Sequence, residues 1–182
     1  SAASNPNAGK YWLEFDGGDS LALSSVPFQA ADDVAVIAAI KVDSATLIQG
    51  VVIPATGATA FVACLVADTT NGMSFQYKND AATYFISQPP SPVPAVGETF
   101  VLSAKTVSGA AKARKNGGNW GNTVTPTGAF TVSSADIGKQ ASTNYFNGSI
   151  GPVLIIKGTL SDADMLCLER FVALATPGAP TF

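Results

Sequence analysis

Tyr145-Phe-Asn-Gly-Ser-Ile-Gly-Pro-Val-Leu-Ile-Ile-Lys157, followed three residues later by Ser161-Asp-Ala-Asp-Met-Leu-Cys-Leu-Glu-Arg-Phe-Val-Ala-Leu174, holds the change of period that decides the fold. The first stretch is rich in β-branched and apolar residues and predicts a strand over Ser149–Lys157. In the second, Met165, Leu168, Val172 and Ala175 recur at helical spacing with Phe171 beside them, which predicts a helix over Asp162–Leu174. Ser161 and Asp164 form a capping box, Asp162 suits the positive end of the helix dipole, and Pro177-Gly178 stops the helix. Its apolar stripe reads as packing against sheets, not as a ligand groove.

Outward from this pair, no second helix is predicted. Alternating and β-branched runs predict strands at Tyr11–Asp16, Ser20–Leu23, Asp33–Val42, Leu47–Ile53, Ala60–Ala67, Met73–Lys78 and Thr83–Ile86. Further strands are expected at Thr99–Thr106, Ala110–Lys115, Asn119–Val124, Phe130–Val132, Ala135–Gly138 and Tyr145–Asn147. So many strands exceed an immunoglobulin sandwich and predict an all-β, two-sheet antiparallel jelly roll with one short C-terminal helix. The prolines of 88–97 forbid a central strand and read as a stiff connection between two halves of one sandwich. We therefore expect a flexible linker over 1–10, one domain over 11–176, and a tail over 177–182.

Composition narrows the function classes. Of 182 residues 47% are hydrophobic and only 13% charged, against roughly a quarter charged in ordinary soluble domains, so small polar residues must cover much of the surface. A net charge of −3 argues against nucleic acid as a partner. The local run Lys112, Arg114, Lys115 reads as a solvated strand and turn. Histidine is absent, which removes the usual general base and excludes an ordinary serine or cysteine triad. Cys64 and Cys167 lie in apolar contexts and are expected as buried free thiols, with a disulfide between them left open. The longest apolar runs fall far short of the roughly 20 residues that span a bilayer.

Two stretches look like ligand sites. Asn116-Gly-Gly-Asn-Trp-Gly-Asn122 sets Trp120 among the amides Asn116, Asn119 and Asn122, a pairing that suits a sugar, whose apolar face stacks on an aromatic ring while amides bond its hydroxyls. Two readings of Trp120 stand equal, a sugar platform and an inward core residue. The second stretch is the turn at Tyr77, Asn79 and Asp80 with Tyr84 nearby, where ordinary hairpin chemistry is the stronger explanation.

A resemblance joins these pieces. Leu13-Glu-Phe-Asp-Gly-Gly-Asp-Ser-Leu21 resembles the F-D-G-x-D-x-L opening of the concanavalin A-like lectin and glucanase superfamily in its laminin G-like branch. Val96-Gly-Glu-Thr-Phe-Val-Leu-Ser-Ala104 looks like the strand after its central crossing, and Arg114-Lys-Asn-Gly117 like its R-x-N-G hairpin. Tyr145–Ile156 and Leu160–Asp164 resemble its F-x-G-x-I strand and the start of its terminal helix. The resemblance implies a virion part, such as a bacteriophage tail fibre or decoration protein, or a bacterial surface protein, located on the virion surface or outside the cell. Context is all the resemblance implies; from the aromatic and amide stretches we expect a non-catalytic module for glycan binding or adhesion, with a cell-surface polysaccharide, other subunits or a second copy as partner. The alternative is a purely structural virion protein, a capsid decoration or fibre domain, held by protein contacts, and a β-glucan hydrolase comes third.

Members of the superfamily that hydrolyse β-glucans use an E-x-D-x-x-E strand, and Glu14, Asp16 and Asp19 resemble a degenerate form of it. Carboxylates at i and i+2 share a strand face about 6.6 Å apart. Here the third acid is aspartate and Gly17-Gly18 breaks the strand, so we expect Asp16 and Asp19 to bond turn amides and no catalytic residues. Calcium sites of laminin G-like domains point to Asp68 with Asn71, or Asn79 with Asp80, but these supply too few of the six to eight oxygens required, and no cofactor or metal is expected.

Overall fold

The computed structural model describes residues 12–44, 49–56, 59–68, 72–140 and 144–182, so the expected linker over 1–10 lies outside the described residues. Two antiparallel sheets face each other. The five-stranded sheet runs in the order β1 (Leu13–Asp16), β13 (Asn147–Lys157), β3 (Val34–Val42), β8 (Thr99–Val107), β9 (Ala110–Lys115). The six-stranded sheet runs β2 (Leu21–Ala22), β10 (Ser134–Ile137), β4 (Gln49–Thr56), β5 (Phe61–Asp68), β6 (Gly72–Lys78), β7 (Tyr84–Ser87). A small ribbon joins β11 (Lys139–Gln140) to β12 (Asn144–Tyr145).

Strand β3 shows why the layers form. Val34, Val36, Ala38, Ile40 and Val42 point between the sheets, while Ala35, Ile37 and Ala39 point outward, and all eight are buried. A strand apolar on both faces needs a cover on each side. The six-stranded sheet covers one side with Leu65, Met73, Phe75 and Tyr77. Helix α1 (Asp162–Leu174) covers the other with Met165 and Val172, both fully buried. The helix begins at the capping box, with the Ser161 hydroxyl accepting from Asp164 N–H. Pro152 falls where the β13–β3 register shifts between Ile150 and Val153, since proline cannot donate to the ladder.

Residues 88–97 carry the chain from edge strand β7 of one sheet to β8 of the other, tied by Met73 N–H to Pro92 O (2.6 Å) and Gly97 N–H to Val42 O (2.7 Å). Three expectations change, and the tail over 177–182 gains a place in the packing. Asn119–Val124 is not a strand; it follows β9 through one bridge, Ala111 to Val124, and one bond from Gly121 N–H to Ala113 O. Residues 130–132 form no strand either, because Asp80 captures Thr131 while the flanking Phe130 and Val132 pack on the core. Cys167 is an exposed free thiol, because the stripe that buries Met165 and Val172 turns it outward, and the Cys64 side chain lies outside the described residues. Residues 177–182 fold back onto α1, with Ala179 and Phe182 packed on the outer cluster and Arg170 Nε donating to Phe182 O.

Candidate functional site

The outer face of β8 and β9 is built by their register. Ser103 lies opposite Arg114, and Lys105 opposite Lys112. Moving from β3 toward β9, this face changes from apolar (Ile37, Val101) to charged. Two ammonium groups directly across a strand pair repel. Asp162, the first residue of α1, sits between them, its Oδ1 2.7 Å from Lys105 Nζ and 3.8 Å from Lys112 Nζ. Lys105 also donates to Leu160 O. The hydrogen bond from Lys105, set against partial burial, holds the Asp162 carboxyl below its ordinary range.

About two helical turns further along, Glu169 is fully buried and takes a bidentate bond from Arg114, 2.8 Å to Oε1 and 2.9 Å to Oε2, while the Ser103 hydroxyl also donates to it. Trp120 lies over this network. Its ring centroid is 4.2 Å from the Arg114 guanidinium, 4.6 Å from Lys112 Nζ and 5.5 Å from Lys105 Nζ. Trp120 is half-buried and packs against the apolar cluster under α1. Its Nε1 is buried and faces the Asp162 carboxylate without closing a hydrogen bond of normal geometry. Beside the ring opens a shallow depression of about 400 Å³ lined by Lys105, Val107, Ala110, Lys112, Thr123 and Asp162. A charged rim, a hydroxyl and two small apolar floor residues make it suited to a polar ligand with one apolar face.

The structure separates the sequence candidates. Asn119 is exposed on the Trp120 loop. Asn116 turns the hairpin with φ +50° and its Oδ1 accepts from Val101 N–H. Asn122 is exposed, yet both ends of its amide clamp the 86–88 backbone. Tyr77 is corrected: at 1% exposure, with its hydroxyl 2.6 Å from Thr106 Oγ1, it is core, because β6 turns Phe75 and Tyr77 inward. Asn79 is likewise consumed, bonding Thr127 O and Thr83 N–H, and Asp80 holds Thr131. Glu14 accepts from Ser149 Oγ and Asp16 from Gly18 N–H. Of the calcium candidates, Asn71 and the Asp68 side chain lie outside the described residues. Among the described residues no three His, Cys, Asp or Glu side chains converge as a metal site, and no helix is long and apolar enough to cross a membrane.

Sequence reading gave Lys105 and Thr123 no site role, gave Asp162 only the helix dipole, and took Lys112 and Arg114 for a solvated run, whereas Arg114 is buried on Glu169. The alternation Lys105, Lys112, Arg114 around the turn at 108–109 was visible, but its acidic partners lie some fifty residues onward on a helix whose docking no local pattern specifies.

No family model and no curated protein matches the sequence. Solved structures do match the fold. The carbohydrate-binding module CBM40 of the Ruminococcus gnavus IT-sialidase superposes with TM-score 0.68 at 18% identity, over 88% of this chain and 97% of that one. The fold is the concanavalin A-like jelly roll. Domain 4 of AbnA, an extracellular arabinanase from Geobacillus stearothermophilus solved with arabinotriose, shares this jelly roll with TM-score 0.66 and 17% identity over 87% of this chain and 76% of that one. The heptameric SAP-like pentraxin from Limulus polyphemus shares it with TM-score 0.63 and 11% identity over 98% and 88%. At such identities the likeness concerns the concanavalin A-like fold and not the ligand.

Proposed function

We propose that this protein is a non-catalytic glycan-binding module of a surface-exposed or extracellular assembly, and that it contacts sugar at the Trp120 shoulder. The observation that carries the reading is a half-buried tryptophan flanked by the Lys112 and Arg114 cations beside an open depression with a hydroxyl, two ammonium groups and a carboxylate. Sugars are bound by this combination of apolar contact and convergent polar groups. The carbohydrate ligands named for two proteins of the same fold, sialyllactose for the sialidase module and arabinotriose for the arabinanase domain, support it. Asn119 on the loop adds an exposed amide, and the virion setting implied by the sequence resemblance belongs to the same proposal.

The reading is tested on a glycan array with the wild type, Trp120→Ala and Lys112→Gln, each checked for an unchanged circular dichroism spectrum. Binding that falls at least about tenfold in both variants is expected, which corresponds to about 1.4 kcal/mol lost with each side chain's contact. Absence of glycan binding by the wild type overturns it.

A second reading, a structural subunit held by protein contacts, is favoured by the outward side of α1. Phe171 and Leu174 are 58% and 68% exposed there, beside Cys167. A face of this kind marks protein contact when it is contiguous. Loss of assembly on Phe171→Ser with glycan binding retained assigns that role to α1 without touching the first.

A further inference from the structure

We infer that the Trp120 depression selects glycans bearing a carboxylate, with Lys112 as the residue that reads it; this rests on the glycan-binding reading. The lining carries two ammonium groups against one carboxylate, so one positive charge is not neutralised locally. Arg114 adds nothing to that surplus, because Glu169 satisfies it from beneath.

The two lysines are not equivalent. Lys105 is 6% exposed and spends its donors on Asp162 and Leu160 O. Lys112 is 27% exposed, lies 3.8 Å from Asp162 and 4.6 Å from the Trp120 centroid, and donates no short hydrogen bond within the described residues. Its ammonium group therefore has donors to give. Thr123 sets a hydroxyl on the same rim, and Val107 and Ala110 give a floor for the apolar face of a pyranose. Asp162 already shows what the place accepts, since a planar carboxylate oxygen lies between the two ammonium groups. A sugar carboxylate completes the charge balance at Lys112 and shares the depression with Asp162.

That geometry gives a test whose sign separates the alternatives. For an acidic sugar the Asp162 carboxylate is a repelling neighbour and competes for both lysines. For a neutral sugar it is an acceptor for hydroxyls. Replacing it by its amide must therefore strengthen the first and weaken the second.

The experiment is an array of matched pairs, oligogalacturonates with their methyl esters and sialyllactose with lactose, probed with the wild type, Asp162→Asn and Lys112→Gln. The expected result is preference for the acidic member by at least about tenfold, loss of that preference in Lys112→Gln, and roughly three- to tenfold tighter acidic binding in Asp162→Asn. The preference should also shrink as salt rises from about 0.05 to 0.5 M. Equal binding of both members, or weaker binding in Asp162→Asn, overturns the carboxylate reading and leaves glycan binding standing. No binding to any member or to any other glycan overturns both.

Discussion

Two buried residues show how single side chains tie this fold to its chemistry. Glu169 has no exposure, and its bidentate bond fixes Arg114, on which Trp120 lies. Removing one partner of a buried pair leaves the other charge uncompensated. Glu169→Gln is therefore expected to destabilise the protein by about 3 kcal/mol in urea unfolding, while exposed Asp164→Asn changes it by less than about 1 kcal/mol. Tyr77 makes the second case. Burial pushes its hydroxyl up to about 12 from an ordinary 10.0. The unfolded chain then loses a proton above pH 10 that the folded chain keeps, so stability present below that pH must fall as pH rises toward 12. Urea midpoints from pH 8 to 11 should decline in the wild type and decline less in Tyr77→Phe. Tyr77 was read in the sequence as a ligand residue for its turn neighbours. Its alternation with Phe75 was the better guide, because strand period fixes which face a side chain takes.

At the scale of elements, the helix was legible to the residue and the Trp120 segment was not. Capping at Ser161 and the stop at Pro177 are local signals, acting over one turn of chain. Segment 118–124 also alternates, yet Asn122 clamps Ile86 and Gln88, and Gly121 passes so close to Gln88 that an added Cβ would stand 1.6 Å from its carbonyl oxygen. Those contacts join parts of the chain more than thirty residues apart, so no local pattern reports them. Gly121→Ala must push the segment off β9 and move Trp120. We expect a loss of at least about 2 kcal/mol in stability and a loss of glycan binding as large as that of Trp120→Ala. Retained stability with intact binding would show that the segment has room the structure does not provide.

At the scale of the molecule, β3 is shared by both cores, so neither the sandwich nor the helix layer has a separate interior. The expected outcome is one cooperative transition. Near-ultraviolet aromatic signals and the far-ultraviolet helix signal should share one thermal midpoint, and an earlier loss of the helix signal would separate the layers. Pairings such as β1 with β13 join chain ends through more than 130 residues, which predicts refolding in milliseconds to seconds instead of microseconds.

Within that molecule the amino-acid order alone determined an all-β architecture, one capped helix over Asp162–Leu174, a proline-stiffened crossing and the absence of histidine chemistry. Each depends on local period, turn residues or composition, which act within a few residues. Only the tertiary structure decided that Lys105, Lys112, Thr123 and Asp162 share one depression beside Trp120, that Tyr77 and Asn79 belong to the fold's interior, and that Cys167 faces outward. Those outcomes depend on strand register and helix docking. Both are set by burial of apolar surface summed over the whole chain, and no short stretch of sequence contains that sum.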